Sequence, residues 1–193
     1  MKLTILFYAA IIGSGLLQAQ THSFDVMLFG KDVGDVTAIR KITGETEIYT
    51  IESNTFVNYV LGKRRDIFTG RTEYTDGVLF SAAVQNTKNG KVNYYCNTTK
   101  MESGYKIQTE KGLSTITGNL VYSCYKLFFS EPVGITSVYN ERFGFSGVLV
   151  KKGEHHYTLE MAGEDDYTYY YENGNLVKME FPSPLGKGYF KRR

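Results

Sequence analysis

The sequence predicts a mainly β protein: a strongly curved antiparallel sheet (half-barrel or open barrel) with one short helix packed on its concave face. Three observations predict it. First, the chain holds 14 Val, 11 Ile, 19 Thr, 16 Tyr and 12 Phe against 7 Ala and 14 Leu. Strand formers outnumber the best helix formers. Second, short alternating segments are punctuated by Asp76-Gly77, Asn89-Gly90 and Asn173-Gly174, strong hairpin signals. Third, some segments are apolar on both faces, as where Met27 and Phe29 stand opposite Phe24, Val26 and Leu28. A flat sheet with one wet face does not have that pattern. Either the sheet curls or both of its sides are covered.

The elements follow in order. Residues 23–29 read as a strand, turned by Gly30-Lys31-Asp32, and 33–43 return to Gly44. Extended stretches over 46–61 and 63–74 lead to Asp76-Gly77. Residues 78–86, with Val78, Phe80, Ala82 and Val84 alternating, lead to Asn89-Gly90. Segments 92–100 and 105–110 continue the meander. Later strands are expected over 136–143, 147–151, 157–161, 167–172 and 176–181. Repeated short strands with tight turns mean antiparallel pairing rather than a βαβ array.

One segment has a different period. Residues 119–129 place Leu120, Val121, Cys124, Leu127 and Phe128 at helical spacing. Thr117 or Asn119 can cap such a helix and Pro132 blocks its continuation. A helix this short does not hold alone in water, so its apolar stripe must dock on the sheet. The competing reading is another buried strand.

The first residues read as an address. Met1-Lys2 is a short positive start, residues 3–17 are apolar apart from Thr4, Ser14 and two glycines, and Ala19 offers a small residue for cleavage. That is the layout of a secretory signal peptide over residues 1–19. The run is shorter than the roughly 20 residues a spanning helix needs. Residues 20–193 then form a single β-rich domain with no repeat and no linker. It is expected to be exported to the periplasm or secreted, with no transmembrane segment once the leader is gone.

Charge and motifs exclude several functions. The net charge of +2 lacks the basic excess expected of a nucleic-acid partner. Of three histidines, His22 falls at the new N-terminus, and His155 and His156 are neighbours, which on a strand face opposite ways. No metal site, cofactor site or catalytic residue is assigned. Phe145-Ser146-Gly147 only superficially resembles a nucleophile elbow, and Asp165-Asp166 beside Gly163 reads as a solvated turn. Lys63-Arg64-Arg65 with Arg71 reads as charge that protects an edge strand. Tyr167, Tyr169 and Tyr171 line one strand face, either as a stripe for a sugar or lipid or as a cross-strand ladder, the preferred reading. Cys96 and Cys124 point at one core from opposite sides and form a disulfide candidate in an oxidising compartment. The alternative is a pair of buried free thiols.

Four pieces resemble a known family. They are residues 24–34, the stretch Tyr74-Thr75-Asp76-Gly77-Val78-Leu79, residues 126–134, and residues 138–144. They resemble a family of exported Gram-negative bacterial proteins of unknown function. More loosely, they are similar to the half-barrels of periplasmic lipoprotein carriers, whose sheets wrap helices. The resemblance implies an envelope protein with a curved sheet and carries no catalytic residues. The expected function is a non-enzymatic binding or accessory protein that holds an apolar small molecule. The alternative is a structural protein of the envelope that contacts another envelope protein.

Overall fold

The computed structural model describes residues 18–59, 62–183 and 186–193. Fourteen strands follow in chain order. They are β1 (Gln18–Leu28), β2 (Lys31–Thr43), β3 (Thr46–Tyr59), β4 (Gly62–Thr75), β5 (Val78–Lys88), β6 (Lys91–Met101), β7 (Gly104–Thr109), β8 (Gly112–Ile116), β9 (Ser137–Asn140), β10 (Phe145–Gly153), β11 (His156–Glu160), β12 (Tyr167–Glu172), β13 (Asn175–Ser183) and β14 (Gly186–Arg192). All belong to one antiparallel sheet ordered β8-β7-β6-β5-β4-β3-β2-β1-β14-β13-β12-β11-β10-β9. The expected leader, residues 1–19, falls mostly outside the described residues; Gln18 and Ala19 extend β1 by pairing with Ile42 and Lys41.

Local chemistry accounts for the hairpins. Asp76-Gly77, Asn89-Gly90 and Asn173-Gly174 all have positive φ at both positions. Two-residue turns of this hand match the twist of the flanking strands, and Asx-Gly is the pair that adopts them at least cost. Two strands were not expected from the sequence, β8 and β14. β8 is almost wholly exposed, so no apolar alternation marks it. β14 carries three glycine or lysine positions at its start.

The sheet is not closed by hydrogen bonds, yet its two edges are neighbours. Thr98 on β6 and Tyr139 on β9 share a hydroxyl–hydroxyl hydrogen bond of 2.5 Å. Along the strand order they stand near opposite edges. Laid flat at roughly 4.8 Å per strand, they would lie about 50 Å apart. The sheet therefore bends round until its ends face each other. The inward residues of both arms, from Phe24 and Val36 to Tyr105, Leu159 and Tyr169, form one buried cluster.

β8 and β9 follow one another in sequence and occupy the two outer edges, so residues 117–136 must cross between them. This strap overturns the expected architecture: among the described residues no helix packs on the sheet, and the only helical turn is a 3-10 turn over Lys126–Phe128. The reason lies at the edge strand. Tyr139 N–H donates to Tyr122 O at 3.0 Å, and Cys124 N–H donates to Tyr139 O at 2.9 Å. An α-helix over 119–129 would spend those strap groups internally and leave β9 with unpaired polar backbone. The strap is extended beside β9 and turns only after Cys124. Of the expected stripe, Cys124, Leu127 and Phe128 are buried and Leu120 is partly so, but Val121 is exposed.

Three further contacts fix the strap. Tyr171 Oη donates to Leu127 O at 2.8 Å. Phe128 meets Phe24 edge-on with ring centroids 5.6 Å apart. His22 lies in β1, where its Nδ1 is 2.8 Å from Phe128 O, so Nδ1 carries the proton.

Candidate functional site

The strap fills only part of the interior. Leu120, Leu127, Phe128 and Phe129 reach the inward rings of β1, β3, β7 and β12. Towards the end that carries the β1–β2, β3–β4, β5–β6 and β13–β14 turns, the arms diverge and leave a cavity of about 530 Å³. That lies within the range of roughly 300–1,000 Å³ typical of small-molecule sites.

The cavity has two unlike walls. Val26 and Leu28 of β1, Val36 of β2, and Phe181 and Phe190 of β13 and β14 make the apolar one. From β4, β5 and β6, and from just beyond β9, the same cavity is lined by Asp66, Asn86, Lys88, Tyr94 and Arg142. This division follows from the alternation of each strand: positions facing inward on β1 and β2 are aliphatic, whereas those on β4 and β5 turn polar towards the open end.

Glu141, just beyond β9, lines this cavity and is 1% exposed. Its Oε1 accepts from Thr72 Oγ1 at 3.3 Å and from Tyr125 N–H at 3.3 Å. Its Oε2 has no partner among the described residues, and neither has Tyr125 Oη, which belongs to another cavity-lining side chain. Burial pushes the Glu141 carboxyl up to about 7, against hydrogen bonds that pull it down. The cations nearby are engaged elsewhere. The Arg142 guanidinium lies over the Tyr94 and Phe143 rings and donates to Tyr167 Oη at 3.3 Å. Lys126 Nζ lies 3.7 Å from the centre of the Tyr74 ring and donates to Val121 O.

Tyr125 owes its position to Gly70 of β4. A Cβ on Gly70 would stand 1.7 Å from Tyr125 Oη. The strap tyrosine thus lies in a notch that only glycine provides.

The other sequence candidates disperse. Cys96 and Cys124 are both buried and both free, so the disulfide staple is absent and the alternative, two buried thiols, is the observed state. Tyr167, Tyr169 and Tyr171 all face inward. The first two line the cavity, while Tyr171 packs edge-on against Tyr157 with centroids 5.8 Å apart. The basic run does not guard an edge, because β4 pairs with β3 and β5. Arg64 pairs with Asp66, and Arg71 pairs with Glu73 at 2.8 Å. His155 sits in a turn with Nδ1 2.8 Å from Glu131 Oε2, and His156 stacks on Tyr170. Among the described residues, no group of three or more His, Cys, Asp or Glu is placed to hold a metal ion, and no helix is long and apolar enough to cross a membrane.

Sequence reasoning missed Glu141. It stands between Asn140 and Arg142, inside the strand expected over 136–143, whereas β9 ends at Asn140 and Glu141 opens the turn that follows. No local signal distinguishes it.

A family model described as a domain of unknown function (DUF6134) matches residues 24–193, and the chain belongs to that family. No curated protein and no solved structure matches. The match carries neither a range of organisms nor a likeness to lipoprotein carriers.

Proposed function

We propose that this member of the DUF6134 family is an exported, non-enzymatic protein that holds an apolar small molecule in the open end of its curled sheet. One observation supports the reading above others: a cavity of about 530 Å³ whose one wall is built from Val26, Leu28, Val36, Phe181 and Phe190. Of these, Phe181 and Phe190 are only partly buried, and apolar surface left facing a space forgoes burial worth roughly 25 cal/mol per Å². An apolar guest recovers it. The leader-like residues 1–19 support export to the periplasm.

Native mass spectrometry of gently purified protein tests the binding role. The expected result is a co-purifying mass that is lost on denaturation, with uptake of the neutral dye Nile red after it is stripped. Ser53→Trp, which places a ring among the cavity's β3 residues, should reduce that uptake. A clean apo mass together with no dye uptake overturns the reading. Intact mass of the periplasmic fraction tests export: the chain should begin at Gln20, and an unprocessed cytoplasmic chain refutes it.

A further inference from the structure

We infer that the ligand carries a protonated amine, which pairs with Oε2 of Glu141 at the polar wall while its apolar body lies against β1, β2, β13 and β14. The inference rests on the cavity reading above and names the chemistry its polar wall selects.

The argument begins with an unbalanced group. Glu141 is 1% exposed, and no cation of the chain forms an ion pair with it among the described residues. A buried carboxylate without a counter-charge is costly, and it is relieved either by a proton or by a cation. The structure does not leave the group free to turn away. Thr72 Oγ1 and Tyr125 N–H both donate to Oε1. The Ser123 hydroxyl also holds the pKa of the carboxyl down but, like Oε2, has no partner at hydrogen-bond distance among the described residues, so Oε2 is the oxygen left to accept. Tyr125 Oη, also without a partner, offers a second acceptor on the same side chain set.

The alternatives fit less well. An alcohol can reach Oε2, but it brings no charge to the carboxylate. A fatty acid would bring a second carboxylate, and two such groups together cannot both ionise. The charged side chains that share the cavity with Glu141 are Arg64, which pairs with Asp66, Arg142, which lies over Tyr94 and Phe143, and Lys88. The other titratable side chains that interact with Glu141 are Tyr74, Cys96, Cys124, Tyr125, Tyr139 and Tyr169. Burial raises the pKa of every one of them, so all are neutral near pH 7. Only Glu141 changes charge there, and burial moves that change to about pH 7. The site accordingly takes an amine above that pH and weakens its hold below it.

Displacement of Nile red from the full chain by decylamine, decanol and decanoate tests this. Alkylamines stay protonated up to about pH 10, as a lysine does. At pH 8.5 decylamine should displace the dye at least about tenfold better than decanol, as a hydrogen bond to a charged group implies. Decanoate should be the weakest. Glu141→Gln should bring the amine-to-alcohol ratio close to one. If that variant fails to fold, the wild-type ratio between pH 5.5 and pH 8.5 decides, because it should rise with pH as Glu141 ionises. Equal displacement by amine and alcohol, or a ratio that does not change with pH, overturns the inference and leaves the apolar cavity standing. Displacement by none of the three overturns both.

Discussion

The hydroxyl of Tyr139 on β9 lies 2.5 Å from the hydroxyl of Thr98 on β6, and this contact joins two strands near opposite edges of a single sheet. Both side chains are buried. It is a side-chain clasp across a seam that no backbone ladder closes. Cutting either half leaves a buried hydroxyl unsatisfied, which costs roughly 1–3 kcal/mol. Cutting both leaves none. Tyr139→Phe and Thr98→Val should each destabilise, and the double variant should lose less than their sum, with a coupling of about 1 kcal/mol. Urea titration of the three variants reads it. Strict additivity would show that the seam is not held here.

Gly70 and Tyr125 give a second prediction. The space for a Cβ on Gly70 is taken by Tyr125 Oη at 1.7 Å. Gly70→Ala should lift the strap from β4 and destabilise by about 2 kcal/mol, the usual scale for overpacking. Combining it with Tyr125→Phe should restore part of the loss. Thermal melts compare the pair.

Glu141 links stability to pH. Its carboxyl is raised to about 7 in the folded chain, against about 4.3 when unfolded. Between those values the folded state holds a proton that the unfolded state has released, so this group's stabilisation is present in acid and is lost as pH rises towards 7. Glu141→Gln removes the dependence. From pH 4.5 to pH 8 the variant should gain on the wild type by as much as about 3 kcal/mol. Chemical denaturation of both proteins at the two pH values measures the difference; a constant gap would mean that Glu141 is ionised throughout.

The thiols give a fourth. Burial pushes Cys96 up to about 11 and Cys124 well above the ordinary thiol value, and both are enclosed and unbridged. A disulfide-exchange reagent should therefore find no reactive thiol in the native protein and two after unfolding. Fewer than two on denaturation would mean that the cysteines are paired.

The sequence by itself determined twelve of the fourteen strands, all but β8 and β14, and the Asx-Gly turns between them. Alternation and Asx-Gly pairs are local signals, because a strand's faces repeat every second residue and a tight turn depends on two φ angles. Phe24, Val26 and Leu28 share one face, and Tyr167, Tyr169 and Tyr171 share another, for that reason; β5 departs from its expected alternation, because an irregularity in its pairing with β4 leaves Leu79 buried and Phe80 exposed. Tertiary structure alone decided the strap, the seam and Glu141. A helical stripe over 119–129 is a local preference, and the unpaired edge of β9, contributed by residues downstream, outweighs it with two backbone hydrogen bonds. The burial of Glu141 depends on Thr72 and Tyr125 arriving from distant parts of the chain, and a carboxylate in a polar turn gives no sign of neighbours that exist only once the sheet has curled.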